Sequence, residues 1–198
     1  MTNSEGTSSR INLANALSLL RLLLVPVLLW LAYERNSRWF LFCLIVSLVT
    51  DIADGKIARL LKQTSEFGSK LDSLADFGTY MTIPLCAYWL RPDFVRRERW
   101  FFILVVASYT VPVIFGFVRY HRLTSYHTRA AVYAAYLLGG ATILLFADGP
   151  IMPFRIAALA IAVAELEEVA ITLTLPEWRA NVRWIGHALT LRRGLISK

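Results

Sequence analysis

The feature that most constrains this chain is the run NLANALSLLRLLLVPVLLWLAY from Asn12 to Tyr33, in which Arg21 is the only formal charge. About 20 apolar residues at about 1.5 Å each cover a hydrocarbon core of about 30 Å. The run is too long for the core of a cleaved leader, and no small-residue cleavage motif follows it, so a retained helix is expected. Further apolar blocks follow near 39–61, 68–90, 100–118, 130–147 and 154–175, separated by short charged or Pro/Gly-bearing joints. In lipid each backbone N–H and C=O must be satisfied inside its own segment, so blocks of this length are helices. The expected fold is therefore all-α: a polytopic membrane protein with six transmembrane helices in a bundle. Composition agrees, at 57% apolar and 18% charged residues, where soluble domains carry about 25% charge. This excludes a disordered chain and argues against an ordinary soluble enzyme.

The expected organisation is a disordered Ser/Thr-rich tail over 1–10, one six-helix domain over 11–178, and a basic cytoplasmic tail over 179–198. The net charge of +7 fits positive loops facing the cytoplasm and anionic lipid, with no nucleic-acid partner. Lys and Arg fall mainly on the side that holds both tails and the second and fourth loops. Both termini are therefore expected in the cytoplasm. Cys43 and Cys86 sit inside apolar blocks and suit helix packing, not metal binding or a disulfide framework.

The chemistry is concentrated in the stretch DIADGKIARLLKQTSEFGSKLDSLAD, from Asp51 to Asp76. Asp51 and Asp54 are three apart, Asp72 and Asp76 four apart, and both spacings put a pair on one helix face. The first pair ends one apolar helix and the second begins the next, so a short joint lets four carboxylates converge at the membrane boundary. Bare carboxylates that close resist ionisation. A divalent cation resolves the repulsion, and all-oxygen ligands suit Mg²⁺ or Mn²⁺. Gly55 and Gly68 allow close approach of a ligand to the backbone. Ala58, one turn after Asp54, keeps that face open, and Arg59 offers a donor fork suited to phosphate.

The spacing D-x2-D-G-x2-A-R-x8-G-x3-D-x3-D is met by Asp51, Asp54, Gly55, Ala58, Arg59, Gly68, Asp72 and Asp76. It resembles the signature of the CDP-alcohol phosphatidyltransferase family, and the six-helix plan and chain length resemble that family as well. The resemblance implies transfer of a phosphatidyl group from CDP-diacylglycerol to an alcohol, with release of CMP, in phospholipid biosynthesis. It implies that Asp51, Asp54 and Asp72 bind one or two divalent ions. Asp76 lies near them and is the general base on the acceptor hydroxyl. Gly55, Ala58 and Gly68 then shape the CDP pocket and Arg59 contacts its phosphates. It also implies a homodimer in a bacterial cytoplasmic (inner) membrane, with the site open to the cytoplasmic leaflet.

Other residues refine the expectation. Asn15, Ser18 and Arg21 share one face of the first helix and resemble the first-helix motif of the phosphatidylglycerophosphate synthase branch, as possible site lining. The loop VRYHRLTSYHTRA gathers Arg119, His121, Arg122, His127 and Arg129 on the side of the aspartates. Arg119 and Arg122 are the candidates for an acceptor that itself carries phosphate. That branch usually follows its third aspartate with Pro and its fourth with Lys, whereas Ser73 and Phe77 stand here, and LDSLAD resembles the phosphatidylserine synthase branch. Glycerol 3-phosphate is the expected acceptor, with serine or another alcohol as the alternative. Glu165, Glu167 and Glu168 lie inside the sixth block, where a charge needs a partner. Counting residues from the ends puts Arg21 and Glu168 at one depth, so that pair is expected. A divalent-cation transporter is the rival of another class, but it would spread acids through several helices instead of gathering them at one face.

Overall fold

The computed structural model describes residues 13–60, 66–120, 128–176 and 182–196, and among them every regular element is an α-helix. In chain order these are α1 (Leu13–Tyr33), α2 (Ser37–Leu60), α3 (Glu66–Leu90), α4 (Pro92–Arg97), α5 (Arg99–Tyr120), α6 (Arg129–Phe146), α7 (Met152–Thr174) and α8 (Ile185–Ile196). The six apolar blocks correspond to α1, α2, α3, α5, α6 and α7. Two short helices add to the expectation. Helix α4 forms in the joint after Arg91, and α8 forms within the stretch expected to be a tail. By length and composition α1, α5 and α6 are apolar enough to cross a membrane. Helices α2, α3 and α7 are as long but carry the acidic groups.

The chain divides into two compact units, Met1–Pro92 and Asp93–Lys198. In the first, α1 packs against both α2 and α3. Its buried stripe runs Asn15, Ser18, Arg21, Leu28, Leu31 and Ala32 at helical spacing. The buried stripe of α2 is Phe40, Leu44 and Ser47, and that of α3 is Ala75, Thr79, Thr82 and Cys86. Helix α1 rises parallel to α3. A Cβ built on Gly78 would lie 3.3 Å from Val25 Cγ2. Higher up, Cys86 Sγ donates to the Leu28 carbonyl at 3.7 Å, and Tyr33 meets Trp89 edge-on at 5.9 Å. One end of this unit is thus sealed by Leu28, Ala32, Phe40 and Cys86. The other end buries polar groups.

The second unit is built around α7, against which α5, α6 and α8 pack. Its stripe of Phe154, Ala157, Ala158, Ile161, Ala164 and Glu168 is half alanine, which lets neighbouring backbones approach. At one end Phe94, Phe102 and Phe154 form an aromatic cluster. Beside it buried Glu98 receives Arg155 Nε at 2.9 Å and Nη2 at 2.7 Å. At the other end Thr128 N-caps α6 by accepting Ala131 N–H at 3.1 Å.

Among the described residues two helix ends turn on a residue in the left-handed region, Arg35 (φ 54°) and Asp148 (φ 59°). In both, an N–H reaches back five residues, Asn36 to Leu31 O and Gly149 to Leu144 O, the 6→1 bond of a Schellman motif. Gly149 is required there, because a Cβ would fall 2.8 Å from the Leu144 carbonyl oxygen. Helix α7 stops before Pro176, with Leu175 extended as the residue preceding a proline favours.

Candidate active site

The polar end of the first unit is where α1 begins, α2 ends and α3 begins. Asn15, Ser18 and Arg21 are all buried there, Arg21 at 2% exposure. An arginine this buried requires a partner. Arg21 Nη1 donates to Asp51 Oδ1 in an ion pair. Asp51 lies four residues beyond Ser47 and seven beyond Leu44, so it continues the stripe of α2 that faces inward. Ser47 Oγ is buried with no hydrogen-bond partner among the described residues. The sequence reading missed it. The signal was a small polar residue one turn before an aspartate on the inward face.

The remaining signature positions are placed by backbone alone. Asp54, Gly55, Ala58 and Arg59 lie in the last two turns of α2, and Gly68, Asp72 and Asp76 in the first three turns of α3. Asp72 is three residues before Ala75, and Asp76 is three before Thr79, so register keeps both beside the buried stripe. The Val25–Gly78 contact sets the height of α3 against α1. One turn back along both parallel helices, Arg21 comes level with Leu74, between Asp72 and Asp76. The level of the Arg21–Asp51 pair is therefore also the level of the second aspartate pair. Carboxylates are hard oxygen donors of the kind Mg²⁺ or Mn²⁺ takes; among the described residues no three His, Cys, Asp or Glu side chains are gathered that could hold a metal ion.

Arg21 and Glu168 each have a described partner inside their own unit: Asp51 for Arg21, and the Thr128 N–H for Glu168, whose Oε1 accepts it at 3.3 Å. Glu167 Oε1 accepts Ile185 N–H at 3.0 Å and so holds the start of α8. Arg119, a candidate for the acceptor, donates Nη2 to the Leu175 carbonyl at 3.2 Å and stacks on Tyr120. The Tyr120 hydroxyl lies 2.9 Å from the carbonyls of both Thr172 and Leu175. Arg122, His121 and His127 lie outside the described residues. The residues flanking that basic loop are therefore fixed to the end of α7 from both directions.

The family model for CDP-alcohol phosphatidyltransferase matches residues 11–191. This chain belongs to that family. The match runs past residue 178 into α8, so the family region includes part of the stretch expected to be a tail. A protein of Aquifex aeolicus (strain VF5) named CDP-diacylglycerol--glycerol-3-phosphate 3-phosphatidyltransferase is 29% identical over 171 residues, 84% of this chain and 92% of the relative. A putative cardiolipin synthase of Mycobacterium bovis is 40% identical over 72 residues, 36% of this chain and 34% of the relative. A cardiolipin synthase (CMP-forming) of Streptomyces coelicolor is 38% identical over 76 residues, 35% of each chain. The chain thus spans about a third of the length of several curated relatives it matches. No solved structure matches.

Proposed function

We propose that this chain transfers a phosphatidyl group from CDP-diacylglycerol to glycerol 3-phosphate, releasing CMP, and that it uses Mg²⁺ or Mn²⁺. The observation that carries the proposal is the complete eight-position signature at the adjoining ends of α2 and α3, in a chain that matches the family almost end to end. Asp51, Asp54 and Asp72 would hold the ion, with Asp76 beside them. A bound divalent ion would neutralise the pyrophosphate and draw charge from the departing CMP oxygen. The chain's own residues do the rest. Gly55, Ala58 and Gly68 leave room for the nucleotide and Arg59 holds its phosphates. Asp76 takes the proton from the acceptor hydroxyl as its oxygen bonds to the phosphatidyl phosphorus and the bond to CMP breaks. Arg119 and Arg122 are the residues assigned in this reading to the phosphate of the acceptor. Asn15, Ser18 and Arg21 line the pocket from α1.

In this reading all six long helices cross a bacterial cytoplasmic membrane, both termini are cytoplasmic, and the enzyme is a homodimer. The outward apolar side chains of the three acid-bearing helices support it: Phe42, Ile45 and Val49 on α2, Leu85 and Tyr88 on α3, Val163 and Leu166 on α7 are exposed in the isolated chain. A second reading, with a lipid alcohol as acceptor, is favoured by the relatives named cardiolipin synthase. The test supplies purified protein with CDP-diacylglycerol and either glycerol 3-phosphate, phosphatidylglycerol or serine, and measures CMP and the mass of the lipid product. Release with glycerol 3-phosphate alone is expected. Release only with phosphatidylglycerol would establish the second reading, and release only with serine would refute both.

A further inference from the structure

Helix α8 is apolar on its inner side and keeps an exposed apolar group on its outer side. Its inner side buries Ala188 in a cluster with Ile171, Leu175 and Val182, and Ile185 and Leu191 pack against that cluster. Glu167 holds its first N–H, so α8 begins alongside the last turns of α7. Its outer side mixes polar and apolar groups, with Thr190 exposed next to Leu189. Leu189 is 45% exposed, and Trp184 is 58% exposed just ahead of the helix. The indole lies over Gly186, where a built Cβ would come within 2.2 Å of Trp184 Cζ3. A glycine at this position is what lets the ring lie along the outer face. Arg183 and Arg192 are exposed before and after these groups in the chain.

We propose that α8 is an interfacial helix whose outer face, Trp184 and Leu189 flanked by Arg183 and Arg192, binds the headgroup layer of an anionic membrane. The inference rests on α7 crossing the membrane, as proposed above. The last turns of α7 are then where the hydrocarbon ends, and the Ile171–Leu175 contact holds α8 at that height. Tryptophan favours this layer because its ring is apolar and its N–H is polar. Arginines at the same height meet lipid phosphates and the negative surface potential. Lipid chemistry explains Trp184 and Leu189 together with the two arginines, whereas water explains only the arginines.

The test reconstitutes the full chain in phosphatidylcholine vesicles and in vesicles that also contain phosphatidylserine, and follows amide exchange by mass spectrometry. Exchange at 185–196 should slow when the anionic lipid is added. Arg183→Gln and Arg192→Gln should each reduce that slowing about fivefold, the equivalent of about 1 kcal/mol per basic residue at an anionic surface. Brominated lipids should quench more emission from the parent than from Trp184→Phe. Exchange in α8 that ignores lipid charge, or equal quenching of the two proteins, would overturn the inference. Amides 152–174 report the span separately. Fast exchange there in both vesicles would refute a membrane-crossing α7, whereas slow exchange with an indifferent α8 would refute the interfacial helix alone.

Discussion

Tyr120→Phe should weaken this protein through a single oxygen. The i+4 partner of the Thr172 carbonyl would be the N–H of residue 176, but Pro176 has none. The Tyr120 hydroxyl stands in at 2.9 Å, and it lies equally close to the Leu175 carbonyl. One hydroxyl has one proton, and Arg119 Nη2 covers Leu175 at 3.2 Å. Removing the hydroxyl therefore takes the donor from one carbonyl, not two. A net hydrogen bond contributes about 1 kcal/mol and an unsatisfied buried acceptor costs about 1–3. Tyr120 is only partly buried, which puts the expected loss near 1–2 kcal/mol. For a chain of this size that is a fall in Tm of about 2–8 °C, measured by thermal unfolding in detergent. Phenylalanine keeps the ring on which Arg119 stacks, so the change isolates the hydroxyl. Arg119→Met should cost less in the parent than in Tyr120→Phe, because each donor covers Leu175 in the other's absence. A coupling of about 0.5–1 kcal/mol is expected. A Tyr120→Phe protein as stable as the parent, or strictly additive losses, would refute this account of how α7 is capped.

Further outcomes are expected. Asp54→Asn and Asp72→Asn should each lower CMP release by orders of magnitude in protein that remains folded, Asp51→Asn should lower it too but with a loss of stability because buried Arg21 loses its charged partner, and EDTA should abolish release until Mg²⁺ or Mn²⁺ is returned; full turnover in excess chelator would defeat the metal assignment. Asp76→Asn should slow transfer by about 10²–10⁴, with binding of CDP-diacylglycerol affected much less, as a filter-binding or calorimetric comparison would show. The hydrogen bonds from Arg155 hold the Glu98 carboxyl below its ordinary 4.5, against a burial that pushes the other way. A depressed carboxyl stabilises the fold above its ordinary value and loses that contribution as pH falls through the folded one. In Arg155→Gln the neutral-pH melting temperature should fall and its further loss toward acid should shrink, because the contribution that acid removes is already gone; an acid loss as large as the parent's in pH-dependent melts would show that the pair carries none of it.

The helices were legible because a bilayer demands long apolar blocks, and α3, α5 and α6 begin or end within about two residues of the expected bounds, the usual uncertainty of helix ends. Helix α4 was not legible. Its six residues, PDFVRR, are too few to show a period. Helix α8 was hidden by Gly186 and by the arginines, which read as a tail. Within the site, the aspartate spacings were visible because three and four residues make one turn. The partner of Arg21 was not. Counting along a helix gives height but not azimuth, so it could not single out Asp51 as a partner. It took the inward stripe of Phe40, Leu44 and Ser47 to show that Asp51, 30 residues from Arg21, faces it. Pro176 was read as a stop signal. That it also removes a donor, and so calls in Tyr120 from another helix, emerges only from the packing.

The corner at Arg35 has a mechanical consequence. The 6→1 bond from Asn36 to Leu31 makes α1 and α2 two arms of one pair of tongs, with the pivot at the sealed end of the unit. Arg21 and Asp51 close the jaws, each about 20 Å from that pivot at about 1.5 Å per residue. A rotation of about 5° at the corner displaces the tips by about 2 Å on arms of that length. That is more than the scatter a hydrogen bond or an oxygen–metal contact tolerates. A residue in the left-handed region, remote from every reacting atom, thereby sets how finely the working end can be held.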